Sequence, residues 1–580
     1  MTGTAGADDT RVGRFADLAM RFLKEEYEDS PVMASGLGLT AYDERLDDLS
    51  AEAFERRRAR DTEWLGRFRA IPDDGLGSVA IDRDFLIAVL RGREILHPRQ
   101  VWRMQPATYL GPGLQGVFTL FLHRLRPERQ LAEAARARLE QIPAALEHGM
   151  ANLDPALAPP IYVERAVGQA KAAARYAREL VPAEVSDPAS RARLAAAGAR
   201  AGDAFERFGA FLEELRRKAS GSYAVGEETY TALLREKELL GDDARSLRER
   251  GREQYDLLAA DMRRLGKAIA GHEDWVALLH DLNRIHAPDP DGMRREYEEW
   301  TERAREFLRR TGLVTLPAGE RCLVEPSPHF QRPVQAVASY ARPPAFSDTL
   351  TGHFFVPFPP DGTAEDEIQK RLEGNCTHGI PTTAVHEAYP GHHWHLVMAK
   401  AHPSHVRRVF STSYFSEGWA LYAERVMREH GFFEDPRQEL YQVEATIFRA
   451  ARIVVDTSLH LGEMTFDEAV TFMMDKANLT APNARAEVGR YCSWPTQASS
   501  YLTGMLEIVD IRTRYRACHR RSHPSVAIAS AYPHSPRHPR CASPELGEAA
   551  DAVRRRPPKP SALSARAPQG GLAWNAKVNR

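Results

Sequence analysis

A helical repeat runs almost without interruption from about residue 12 to residue 310, and it restricts the chain to folds in which helices pack on helices. Within Arg14–Leu23 the apolar residues Phe15, Leu18 and Phe22 fall on one stripe, and the stretches 129–150 and 190–218 continue the same Ala, Leu, Glu and Arg text. Strong turn chemistry interrupts it at Pro72-Asp73-Asp74-Gly75, across 154–160 and across 287–292. Between about 313 and 360 the texture changes to short β-branched or aromatic runs cut by prolines, such as Val334–Tyr340 and Gly352–Pro357, which predicts a small sheet. Helical text returns at 380–400, 416–430, 438–462, 466–477 and 483–515, with Thr465 ahead of Asp467 and Glu468 as an N-terminal cap. The expected architecture is mostly α, a large helical body with a small β-sheet. It divides into a helical region 1–310, a second region 311–516 and a tail 517–580.

The tail is text of another kind. After about Arg516 the composition turns to Pro, Arg, Ser and His, without the periodic apolar residues a packed helix needs. It reads either as an unpacked segment or as a shifted reading frame in a GC-rich gene. A length of 580 residues is enough for about four domains. The 78 basic and 80 acidic residues leave a net charge of -2, which provides no whole-protein field toward nucleic acid or an anionic membrane. Cys322, Cys376, Cys492, Cys518 and Cys541 are odd in number and form no C-x-x-C pair, which fits reduced thiols in a cytosol. The first thirty residues carry Asp8, Asp9, Glu25, Glu26 and Glu28 and lack the apolar stretch of a secretory leader. No apolar run approaches the roughly 18 residues needed to span a bilayer. The expected location is cytoplasmic, with neither nucleic acid nor a membrane as partner.

The text that carries chemistry is His386-Glu387-Ala388-Tyr389-Pro390-Gly391-His392-His393. A hydrolytic zinc site takes three protein ligands, keeps one position open for water, and places a carboxylate nearby to accept that water's proton. H-E-x-x-H on a helix achieves this by putting both histidines on one face, but here Pro390 occupies the fifth place. On a regular helix, at about 100° per residue, His393 lies about 20° from His386 and His392 about 120° away, which favours His393. Pro390 argues against regularity, because it lacks an N–H and collides with the carbonyl of residue 386. A bulge that loops out two residues favours His392, and His393 stays as the alternative. The third ligand is expected on the following helix, where Tyr414–Glu424 offers Glu417. Glu424, two turns on, faces the same way and suits the orientation of a ligating histidine.

The run Ser416-Glu417-Gly418-Trp419-Ala420 resembles the Asn-Glu-Gly-Phe/Trp-Ala run of gluzincin peptidases, in which the Glu binds zinc. Residues 381–424 as a whole resemble the bacterial "domain of unknown function 885" family, marked by His-Glu-Ala-Tyr-Pro-Gly-His-His and Glu-Gly-Trp-Ala-Leu-Tyr-Ala-Glu. A third block, Glu487-Val488-Gly489-Arg490-Tyr491 with Pro495, Gln497, Tyr501 and Gly504, matches the family's Glu-Val-x-Arg-Tyr and Pro-Gly-Gln-Ala-x-Ser-Tyr blocks, with Thr496 in place of the usual Gly. The resemblance covers roughly 12–516 and implies an oligopeptidase-like helical fold; the tail departs from it.

These residues predict a one-zinc (Zn2+) hydrolase that cleaves peptide bonds, with His386, His392 and Glu417 as ligands and Glu387 as general base. A zinc amidase acting on a small non-peptide molecule, or a non-catalytic binding protein with a truncated site, are the alternatives. Tyr501 and Tyr491 read either as core aromatics or as phenols facing the substrate, where one can steady an oxyanion. The Ser-Ser-Tyr-Leu-x-Gly setting favours Tyr501 for that role and leaves Tyr491 as a substrate-binding candidate. Arg490 reads as an ion-pair partner or as a bidentate holder of a substrate carboxylate. His395 reads as a solvated or packed ring, and His353-Phe354-Phe355-Val356 as a packed strand or as an edge strand that pairs with substrate.

Overall fold

Many of the helices begin where a short polar side chain can accept their first amide hydrogens, which otherwise have no partner within the helix. Ser50 accepts from the Ala53 N–H (3.2 Å), Asp187 from Ser190 (2.7 Å) and Asp289 from Gly292 (2.6 Å), opening the helices Ala51–Arg69, Pro188–Lys218 and Pro290–Thr311. Thr465 and Glu468 form a reciprocal capping box at the start of Phe466–Ala477. The computed structural model describes residues 5–72, 76–332 and 337–518, all within the compact unit Met1–His534. Asp73, Asp74 and Gly75 of the first turn signal, residues 334–336 of the expected strand, and the tail beyond Cys518 lie outside the described residues.

The architecture is mostly α with one small sheet. Leu110, Leu114, Leu131, Leu139, Phe205 and Phe208 build a core within the N-terminal helices, removing apolar surface from water. A larger core joins Leu247, Met262 and Leu308 to Val385, Trp419, Ile453 and Tyr491. The helices of 244–311 therefore pack directly on the region that carries the chemistry-bearing motifs. Among the described residues no helix is long and apolar enough to cross a membrane.

The sheet comprises β1 (Arg321–Pro326), β2 (Ser339–Ala341) and β3 (Thr351–Val356), in the order β1-β3-β2. β1 runs parallel to β3 with Val324 opposite Phe354, and β2 runs antiparallel with Tyr340 opposite the same Phe354. This corrects the edge-strand reading of His353–Val356. β3 is the middle strand, paired on both sides, and the edge strands are β1 and β2.

The helix expected across 483–515 is two helices, Ala481–Ser493 and Ser500–Cys518. Pro495 drives the break, pushing Trp494 out of the helical region (φ -144°, ψ 78°). Thr496 follows with φ 71°, a left-handed conformation that glycine adopts freely and a β-branched residue does not.

Candidate metal centre

The expected helix 380–400 is also interrupted. Ile380–Glu387 ends, four residues intervene, and His392–Lys400 begins. Across the gap the Gly391 N–H donates to the Val385 carbonyl (3.1 Å) and the Trp394 N–H to the Ala388 carbonyl (3.2 Å). Each bond reaches six residues back, where a regular helix reaches four. Two residues are thereby accommodated outside the helical path, and His392 arrives where a four-residue spacing would place a second histidine. Gly391 is required by close approach, since a Cβ there would lie 1.9 Å from the His386 carbonyl oxygen. The Trp419 indole N–H donates to the Pro390 carbonyl (2.8 Å) and ties this turn to the helix that bears Glu417.

That helix, Ser413–Glu429, crosses Ser500–Cys518 at backbone contact. A Cβ on Gly418 would sit 2.5 Å from the Gly504 carbonyl carbon, and one on Gly504 would sit 1.8 Å from the Tyr414 oxygen. The glycine pair brings Glu417 and Tyr501 to one place. One donor atom from each of His386, His392 and Glu417 lies within 4.8 Å of the others. Glu417 Oε2 is 3.1 Å from His392 Nε2 and 3.5 Å from His386 Nε2. Two ligands about 2.0–2.1 Å from a tetrahedral ion are about 3.3 Å apart, so the donor set fits a small metal ion.

Supporting contacts match that fit. His386 donates its Nδ1–H to the fully buried Glu424 carboxylate (2.7 Å), which leaves Nε2 for coordination. Burial works against a charged His386, yet hydrogen bonds to Glu417 and Glu424 and the charge of Glu387 outweigh it and raise its pKa to about 9. Burial likewise opposes a charged Glu417, but the two histidines hold its pKa well below the usual carboxylate range. The cluster is thus a place that attracts positive charge. Glu387 lines the same cavity, and burial raises its pKa even though His392 and His386 pull it down.

His393 is directed elsewhere. Its ring is fully buried, donates from Nε2 to Glu320 (2.8 Å) and accepts at Nδ1 from the Tyr340 hydroxyl (2.7 Å). Glu320 also accepts from Arg305 (2.8 Å) and from the Tyr389 hydroxyl. With both nitrogens committed, His393 anchors the turn to β2 and stays out of the donor cluster. His395 is a packed ring against Phe415 (5.0 Å), and burial lowers its pKa to about 3.

The three donors line a cavity of about 1450 Å³ together with Glu387, Tyr501, Arg490 and the β2 residues Ser339 and Tyr340. Tyr501 packs on the His386 ring (6.2 Å, 20°), and its hydroxyl receives a hydrogen bond from Gln497 (3.3 Å) without spending its own proton on that contact. Arg490 pairs with Glu487 (2.9 Å) and Gln497 (2.6 Å). Tyr491 is not brought to the cavity. Its ring is fully buried and its hydroxyl lies between Glu487 (2.8 Å) and Arg452 (2.9 Å).

Sequence reasoning passed over Glu320 and three cavity residues on the Pro436–His460 helix: Glu444, Arg449 and Arg452. Glu444 and Arg452 are eight residues apart, a spacing visible in the sequence that keeps them on neighbouring rows of one helix side. Burial raises the Glu444 pKa to about 7. Glu320 carries no comparable signal, because it lies in irregular chain before β1 and meets its partners only through tertiary packing.

The family described as Bacterial protein of unknown function (DUF885) matches residues 31–522. The chain belongs to DUF885. The DUF885 match takes in every residue of the site described above. Two solved structures share the fold of this DUF885 chain. One is described as "a putative lipoprotein of unknown function from Shewanella oneidensis", with 21% identity and a TM-score of 0.69 over 90% of this chain and 100% of that one. The other is described as "the putative lipoprotein from Colwellia psychrerythraea", with 18% identity and a TM-score of 0.76 over 90% of this chain and 96% of that one. No curated protein matches the chain.

Proposed function

We propose that this DUF885 protein is a gluzincin-like, single-zinc hydrolase of peptide bonds. The observation that carries the reading is the convergence of His386, His392 and Glu417 on one cavity wall beside Glu387 and Tyr501. His386, His392 and Glu417 would hold the ion, and Glu424 would fix the His386 ring through its Nδ1–H. Zinc, when bound, supplies Lewis acidity for the substrate carbonyl and for the attacking water.

Glu387 takes a proton from the water as its oxygen joins the carbonyl carbon, and it returns that proton to the nitrogen as the C–N bond breaks. Its raised pKa suits both halves of the transfer. Tyr501 has a hydroxyl proton to donate toward the developing oxyanion. The β2 edge at Ser339 and Tyr340 supports an extended substrate by strand addition. We read the location as cytoplasmic, supported by the unpaired thiols of Cys322, Cys376 and Cys492.

The test is elemental analysis of zinc-reconstituted protein together with a peptide-library digest by the parent chain and by Glu387→Gln. About one zinc per chain is expected in both, with cleavage by the parent alone. A parent that cleaves small non-peptide amides and no peptide would move the assignment to an amidase, and a chain that takes up no zinc would end the reading.

A further inference from the structure

Beyond the donor cluster, the cavity wall gathers three arginines, Arg449, Arg452 and Arg490, with Glu444 and Glu487 as their neighbouring carboxylates. Arg452 and Arg490 share one carboxylate oxygen of Glu487, at 2.6 and 2.9 Å. Arg449 donates to the Ala445 carbonyl of its own helix (2.9 Å). Each of the three guanidinium groups keeps a buried N–H without a partner among the described residues: Nε of Arg449, Nη1 of Arg452 and Nε of Arg490. A single such group is a tolerable loss, but three on one cavity wall mark a place where an acceptor belongs. Arg452 is itself only 3% exposed, which fixes its guanidinium in place at the wall.

The position of this wall relates it to the proposed chemistry. The Arg452 guanidinium lies 4.5 Å and that of Arg449 5.7 Å from the centre of the Tyr501 ring, which packs on His386. One tyrosine therefore links the donor cluster and the arginines. Planar forks of N–H groups match a carboxylate, and a peptide offers that group at its end, a short distance from its last amide bonds.

We infer that Arg449, Arg452 and Arg490 bind the free C-terminal carboxylate of a peptide, so that the enzyme removes residues from the C-terminal end. This rests on the hydrolase reading above. Water enters, the last or next-to-last C–N bond breaks, and the departing fragment leaves with its carboxylate still paired to the arginines.

The zinc-loaded full chain is given a peptide library as free acids, as C-terminal amides, and as amides ending in Glu. Free acids are expected to react with kcat/KM at least about 100-fold above the amides, and Arg449→Gln to reduce that ratio by about 10- to 100-fold through KM. Equal rates for acids and amides would overturn the inference. So would full recovery of rate by the amides ending in Glu, which would assign the wall to an acidic side chain. A second readout does not depend on turnover: calorimetry of zinc-loaded Glu387→Gln with N-acetylated tetra-alanine as acid and as amide. Tighter binding of the acid, weakened by Arg449→Gln, supports the carboxylate site even if no peptide is cleaved, an outcome that would defeat the hydrolase reading alone. Equal binding of acid and amide overturns the site itself.

Discussion

Replacing His392 and His393 one at a time separates two neighbouring rings with opposite duties. His392→Ala removes a donor of the cluster. A four-ligand structural zinc site binds with about 10–16 kcal/mol, so one ligand carries about 3–4 kcal/mol, or two to three powers of ten in affinity. The fold should lose less, since the metal-free ring makes one hydrogen bond, to Glu417, and an edge-on contact with the His386 ring (4.9 Å), and its Nδ1 has no partner among the described residues. His393→Ala reverses the pattern. It deletes a hydrogen bond to the charged Glu320 and one from Tyr340 in a fully buried place, a loss of about 3–5 kcal/mol once the vacated ring space is included. Its effect on zinc should stay within about 100-fold, as for a residue that only supports the ligands. Chelator competition measures the zinc affinity of both variants, and urea unfolding of the metal-free proteins measures stability. If His393→Ala weakens zinc more than His392→Ala, the assignment of the two rings is wrong.

Two further outcomes follow from packing and burial. Gly504→Ala should destabilise by about 3 kcal/mol or more and loosen metal binding, because the new Cβ meets backbone that cannot step aside. Gly209→Ala, where the Cβ would make an ordinary 3.7 Å contact inside a helix, should instead stabilise by roughly 0.5–1 kcal/mol, and a similar thermal shift in both variants would refute the crossing argument. Burial lowers the pKa of His123 and of His395 to about 3, so the unfolded chain binds protons that the folded one refuses. The contribution of these two histidines should therefore be complete above about pH 6.5 and be lost as the pH drops toward 3, by up to about 1.4 kcal/mol per pH unit for each histidine. Denaturant titrations between pH 7 and 5 read this slope, and replacing both histidines with Gln should flatten it.

Helical periodicity made the architecture legible, because apolar stripes on long helices depend on local spacing alone. The boundary drawn at residue 310 follows a change of texture, while the apolar core passes from Leu247 and Leu308 straight to Trp419 and Ile453. The breaks at 388–391 and 494–499 were only partly readable. Pro390 and Pro495 announce an interruption, but its depth depends on which neighbours accept the freed backbone groups, such as Trp419 at the Pro390 carbonyl. Tyr491 and Tyr501 show the same limit. Both are tyrosines in helical text, and only packing tells that one hydroxyl is locked behind Arg452 while the other faces the cavity.

The six-residue reach of the hydrogen bonds around Pro390 bears on how protein sequences are searched. A pattern written as histidine, glutamate and a second histidine at fixed separation silently assumes an unbroken helix between them. Here the separation in sequence grows by two while the separation in space does not, so a filter of that form discards the chain. Searches that permit a proline-glycine insertion between the two histidines, and then ask for Glu-Gly-Trp some twenty-five residues downstream of the second, would retain such proteins.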